Sequence, residues 1–209
     1  MDSIAVIGGG GHAKVVTSIL KKRGFRVVGY TDKRDRGALL GAPYLGEDEI
    51  LTRLIRRDPA CQAALGTGKT DASATRMALQ RRIHGLGYRF PTVASPDAVV
   101  NEEVVLGSGT VVFDGAVVNS GTVVGDWSIL NTNCTVEHDC AIGENVHVAP
   151  GAVVGGGVTI GDNTMVGAGA TVLQGLSLCA GCLVGAGAVV VDDLVTPGTY
   201  VGTPAKRIA

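Results

Sequence analysis

Residues 130–153 read LNTNCT VEHDCA IGENVH VAPGAV, four six-residue units opening on Leu130, Val136, Ile142 and Val148. The fifth position of each unit is small or β-branched: Cys134, Cys140, Val146 and Ala152. The period runs on in both directions without an insertion. Val100, Leu106, Val112, Val118 and Val124 precede the block, and Val154, Ile160, Val166, Val172, Leu178, Val184 and Val190 follow it. A six-residue repeat of aliphatics held this long is the signature of a parallel β-helix, in which each unit forms one side of a triangular coil and three units make a turn. The span 100–189 makes about five coils, with neighbouring coils about 4.8 Å apart as in any paired strands. The residue after the aliphatic is often Gly or Asn (Gly107, Asn119, Gly125, Asn131, Gly143, Gly155, Gly161, Gly167, Gly185) and reads as the corner residue. Periodicity alone leaves the hand of the coil open.

The first 90 residues follow a different rule. Ile4–Ile7 is a short β-branched run, and a glycine cluster separates it from a helical pattern over His12–Arg23. Arg26–Tyr30 and Cys61–Leu65 read as further strands, and Glu47–Arg57 and Thr70–His84 as helices. Alternation of this kind predicts a small parallel sheet with crossover helices. The expected organisation is therefore a Rossmann-like α/β half-domain over 1–90 and an all-β triangular prism over 91–209. A coiled solenoid exposes sheet ends, so the α/β half is expected to cover one end and the tail from Val191 the other.

Composition narrows the function classes. Aromatics are 4% of the 209 residues and glycines number 32, against an ordinary glycine fraction of about 7%. The net charge of -1 gives no steer toward nucleic acid or an acidic membrane. No apolar run approaches the roughly 20 residues of a membrane span, and the N-terminus lacks a signal-peptide pattern. Five cysteines, with Cys179 and Cys182 as a lone C-x2-C, do not make a disulfide framework, so a cytoplasmic setting is expected. Cys134, Cys140 and Cys182 fall at the small inward position and read as packing; Cys179 falls at a corner.

Two constellations carry chemistry. The first is Gly8-x-Gly10-x-x-Ala13 between a strand and a helix, with Asp32 about twenty residues on. Backbone N–H groups at such a turn hold phosphates, and the acid reaches a ribose. Ninety residues supply one mononucleotide-binding half rather than the two of a full NAD site. Gly10, Gly11 and Asp32, with Gly66 and Thr67 at the same sheet edge, are thus candidates for binding a nucleoside diphosphate.

The second is His138 between Glu137 and Asp139. An outward His on a coil wall is usually plain surface, but a flanking carboxylate can orient the imidazole. In an 18-residue coil, Gly156 stands directly above it, and a bare backbone N–H there suits a thioester carbonyl and its developing oxyanion. These features predict His138 as general base, Asp139 as its orienting partner and Gly156 as oxyanion donor, with Asn131 and Glu137 touching the substrate. His147 lies half a coil from His138 and faces the opposite side. Packing prisms about a threefold axis could bring His147 of one chain near His138 of the next. Four histidines without metal-ligand spacing point away from a metal site.

Gly8-Gly9-Gly10-Gly11-His12-Ala13-Lys14, the run Val136-Glu137-His138-Asp139, His147 and the ending Gly198-Thr199-Tyr200-Val201-Gly202-Thr203-Pro204-Ala205-Lys206 together resemble the sialic-acid O-acetyltransferase family of hexapeptide-repeat enzymes. Within it the chain is most similar to N-acetyltransferases of nucleotide-linked 4-amino sugars, of the bacillosamine and perosamine type. The resemblance implies a left-handed prism, a homotrimer with sites between chains, and acetyl-CoA as co-substrate without a metal. It implies a nucleotide pocket at Gly10, Gly11, His12 and Asp32, the base role for His138, and acetyl-CoA contacts at His147, Gly156, Ala168 and Ala186. Two alternatives stand beside it: O-acetylation of sialic acid or another sugar, and a non-catalytic scaffold that binds nucleotide sugars.

Overall fold

The computed structural model describes residues 2–70 and 75–208. The chain divides into two compact units: residues up to Gly68 together with Thr75–Pro96, and the chain from Asp97 onward together with Lys69 and Thr70.

In the first unit, strand β1 (Ser3–Ile7) leads into helix α1 (Gly11–Lys22), then β2 (Arg26–Thr31), β3 (Tyr44–Gly46), α2 (Ile50–Arg57), β4 (Gln62–Leu65) and α3 (Thr75–Gly85). All pairings are parallel and the sheet order is β3-β2-β1-β4. β3 is absent from the sequence reading because three residues carry no period. The helix expected from Thr70 is described only from Thr75; residues 71–74 lie outside the described residues. β1 is buried along its whole length, as a central strand covered on both faces requires. The chain moves from β1 toward β2 and β3 on one side and returns to β4 on the other. The crevice at the carboxyl ends of β1 and β4 is thus the switch point where such sheets take ligands.

In the second unit the two-residue strands pair in parallel at a constant offset, Val123 with Ala141, Thr135 with Val153 and Ile129 with His147. They stack into three faces of a left-handed β-helix. The sixth-residue aliphatics from Val112 to Val190 are buried, and so are the small residues four places on, from Thr110 to Ala170 and again at Cys182 and Ala188. Val100 opens the series 38% exposed because no coil precedes it in the prism. Burial pushes the Cys134 and Cys182 thiols up to about 12, which suits packing and not nucleophilic chemistry. At the C-terminal end, Gly198–Val201 adds in parallel to Cys182–Val184, and Lys206–Arg207 closes antiparallel on it.

The corner reading needs correction. The left-handed backbone sits three residues after the aliphatic, at Gly115, Gly121, Asn133, Asp139, Asn145 and Gly157 among others. Asn and Asp tolerate that conformation better than other residues with a side chain. The glycines one place after the aliphatic are required for a different reason. A Cβ on Gly125 would lie 2.7 Å from the Gly143 carbonyl carbon, and one on Gly161 would lie 2.4 Å from the Ala180 nitrogen. These glycines let one coil settle on the next. Cys179 continues the column Gly107, Gly125, Gly143, Gly161 on the last rung of its face, and its sulfur lies 3.5 Å from that of Cys182.

Candidate functional sites in the α/β turn and on the prism

The glycines of the turn after β1 divide into two pairs. Gly8 has φ of 110° and donates its N–H to the Thr31 carbonyl. Gly9 donates to Asp32 Oδ2 at 2.9 Å, and a Cβ there would stand 2.5 Å from the Tyr30 ring. These two are fixed by their own chain. Gly10 caps α1 without a side-chain bond, and a Cβ on Gly10 or Gly11 would meet nothing within 4 Å. The space before the helix N-terminus is therefore open, and the first-turn N–H groups of a helix are directed at such a space. His12 packs beside Gly68, 3.4 Å from where its Cβ would be.

Beside this turn lies a cavity of about 760 Å³, bordered by Gly8, Asp32, Arg34, Thr67, Leu79 and Arg82 among others. Asp32 accepts from Gly9 and, at 3.1 Å, from the Arg34 N–H. Partial burial alone would raise its pKa; those two donors and Arg36 outweigh it and hold the carboxyl below its usual value. Arg82 and Thr31 both bond Asp48, which fixes the far wall. Buried Arg76 donates to the Thr67 carbonyl at 3.0 Å and so fixes the other rim; burial lowers its pKa to about 10. Gly66 is also required by packing. A Cβ there would press on Ala13 and Val6 at 2.8 Å, so this glycine serves the packing of α1 on the sheet. The arginines were missed because Arg34 lies far in sequence from Arg76 and Arg82 of α3, and no spacing links them.

On the prism, His138 stands at a corner with its side chain 65% exposed. Nδ1 lies 2.8 Å from Asp139 Oδ2. A carboxylate accepts only, so Nδ1 carries the hydrogen, and in the neutral ring Nε2 presents the lone pair. Asp139 itself adopts φ of 58°, so the corner conformation aims its carboxylate back at the ring. Gly156 is the residue above: a Cβ on it would lie 2.7 Å from His138 Nε2. Gly155 and Gly157 donate their N–H groups to Val172 and His138 carbonyls, and among the described residues Gly156 takes no part in that ladder as a donor. An open imidazole nitrogen and a bare amide thus share one corner.

His147 is placed otherwise. It is only 7% exposed, so it is not a surface histidine. Nδ1 lies 2.7 Å from the Lys69 carbonyl and Nε2 lies 2.9 Å from Asn131 Nδ2. Asn131 Oδ1 accepts the Thr132 N–H, which fixes the amide with its NH2 toward His147. The ring is therefore the neutral Nδ1–H tautomer. Ala168 and Ala186 are exposed, one above the other on a different corner from His138. Among the described residues no cluster of three or more His, Cys, Asp or Glu could hold a metal.

Comparison with known proteins bears on both sites. Residues 3–77 match the PglD N-terminal domain, and residues 139–174 match the bacterial transferase hexapeptide of six repeats. A variant of perosamine N-acetyltransferase from Caulobacter crescentus, solved with CoA and GDP-perosamine, is 35% identical. The match covers 99% of this chain and 97% of that one, with a TM-score of 0.93. The acetyltransferase domain of PglB from Neisseria gonorrhoeae is 32% identical over the whole of both chains, with a TM-score of 0.90. The chain belongs to this family of sugar N-acetyltransferases. UDP-N-acetylbacillosamine N-acetyltransferase of Bacillus subtilis is 32% identical over 115 residues, a match that spans 54% of this chain and 51% of that protein.

Proposed function

We propose that the protein transfers an acetyl group from acetyl-CoA to the 4-amino group of a nucleotide-linked amino-deoxy sugar. The observation that carries this reading is the His138 corner: Nε2 open, Nδ1 held by Asp139, Gly156 against the ring. The neutral amine attacks the thioester carbonyl, the C–N bond forms, and the carbonyl oxygen takes up negative charge beside the Gly156 N–H. His138 Nε2 accepts the proton leaving the nitrogen, and collapse expels the CoA thiolate, which the imidazolium can protonate. No covalent enzyme intermediate is needed. Asn131 and Glu137 face the sugar, and His147, Ala168 and Ala186 line the acetyl-CoA path.

The α/β domain, residues 1–90, takes the nucleotide. Gly10, Gly11 and His12 hold the diphosphate at the helix N-terminus, and Asp32 and Thr67 border the cavity for the nucleoside. The prism domain, 91–209, works as a homotrimer with sites between chains. Among the described residues no helix is long and apolar enough to cross a membrane, and we place the reaction in the cytoplasm.

The test is thiol release from acetyl-CoA with a panel of UDP-, GDP- and dTDP-linked 4-amino sugars. Release with one of them, and none with its N-acetylated product, is expected. Equal release with sugars bearing only hydroxyls would overturn the N-acetylation reading.

A further inference from the structure

Glu137 is held by neither His138 nor Asp139. It stands at the top of a ladder formed by Asn101, Asn119 and Glu137, residues that occupy the same place in successive coils. Their backbones are pinned one above another: Asn101 N–H donates to the Val118 carbonyl, Asn119 N–H to Val136 and Glu137 N–H to Val154. Asn119 Nδ2 lies 2.8 Å from Glu137 Oε2, and Asn101 Nδ2 lies 2.7 Å from Asn119 Oδ1.

The direction of this ladder follows from the charge at its top. An ionised carboxylate only accepts, so Asn119 turns its NH2 toward Glu137 and its Oδ1 downward. That oxygen needs a donor, and Asn101 supplies one. Amide stacking by itself is ordinary in this coil, since Asn145 donates to Asn163 in the same manner at 2.9 Å. The ladder under Glu137 differs in ending on a carboxylate next to the base. One coil above Glu137 stands Gly155, whose Cβ would lie 2.6 Å from the Gln174 nitrogen, so no side chain can cover Glu137 from above.

We propose that Asn119 is a positioning residue for the acetyl transfer. It commits Glu137 Oε2 and leaves Oε1 as the acceptor for a hydroxyl or amino hydrogen of the sugar. The proposal rests on the reading of the His138 corner as the sugar site.

The experiment compares Asn119→Ala, Asn119→Asp and Glu137→Ala, with the double variant Asn119→Ala/Glu137→Ala, by steady-state kinetics and thermal unfolding of the full chain. Asn119→Ala should lower kcat/KM for the nucleotide sugar about tenfold, the scale of one hydrogen bond to a charged group, with KM for acetyl-CoA unchanged. Asn119→Asp keeps the size and replaces the donor by an acceptor facing Glu137, so it should be worse than Ala; a mere spacer would tolerate it. In the Glu137→Ala background Asn119→Ala should add nothing. Wild-type turnover with unchanged Asn119 variants, or additive losses in the double variant, would overturn the proposal alone. Absence of wild-type turnover with every nucleotide amino sugar would remove the underlying reading as well.

Discussion

His138 and His147 lie half a coil apart on one regular solenoid and are held in opposite ways. His138 projects from a corner, 65% exposed, with one ring nitrogen on Asp139 and the other open beside Gly156. His147 lies on a flat face, 7% exposed, with Nδ1 on the Lys69 carbonyl and Nε2 on Asn131. Both occupy outward positions of the repeat, so the repeat fixes direction and leaves environment to the neighbours. A general base needs an unshared lone pair at the reacting proton. His138 has one; His147 spends its lone pair on Asn131. The difference makes the corner, and not the face, fit for proton transfer.

The sharpest way to break this comparison is to truncate each ring in turn. His138→Ala should reduce kcat by about 10²–10⁴ while the unfolding midpoint stays put, because an exposed side chain with one neighbour bond contributes little to stability. His147→Ala should do the reverse in stability, costing about 1–3 kcal/mol by leaving Asn131 and the Lys69 carbonyl without a buried partner. Near-wild-type kcat for His138→Ala at saturating substrate would transfer the base role elsewhere. An unchanged unfolding midpoint for His147→Ala would show that the face is not sealed as described.

A second test moves His138 without removing it. Gly156 has no positive φ requirement, and the three atoms nearest an added methyl all belong to the imidazole, Nε2 at 2.7 Å. An exposed ring can yield, so Gly156→Ala should fold normally. The displaced base should lower kcat by about tenfold to a hundredfold, with KM for the nucleotide unaffected. Equal losses in kcat and in thermal stability would mean the methyl disturbs the coil and not the ring.

Much of the architecture was legible because a coil of fixed period turns sequence spacing into vertical neighbours. The inward columns, the stacking of Gly156 over His138, and the turn after β1 all follow from spacing. What escaped depends on partners far apart in sequence. Nothing around His147 announces Lys69, 78 residues earlier, as its cover. Arg34 and Arg82 border one cavity from segments far apart in sequence, and Arg76 touches only its rim, through the Thr67 carbonyl. The glycine after each aliphatic was misread as a corner because a glycine signals freedom of φ and close approach alike. Only the clash with the next coil separates the two meanings.

That ambiguity gives the last prediction, in which one column of the repeat has two environments. Gly107, Gly125, Gly143 and Gly161 stand one above another, and Cys179 completes the column on the final rung. At Gly125 an added Cβ would press on three backbone atoms of the next coil at 2.7–2.8 Å, and backbone cannot rotate away. Gly125→Ala should therefore force coils apart and destabilise by about 1–3 kcal/mol, the ordinary cost of overpacking. Position 179 already carries a side chain, because no further two-residue rung of its face follows. Trimming it, Cys179→Ala, removes one half-exposed thiol that contacts Cys182 and should change stability by no more than about 0.5 kcal/mol. Chemical denaturation of both variants decides the matter. If Gly125→Ala matches wild type, the column is not a coil-contact column, and its glycines need another account. If Cys179→Ala is as damaging as Gly125→Ala, the final rung is packed like the interior, and the tail covers it more tightly than its hydrogen bonds indicate.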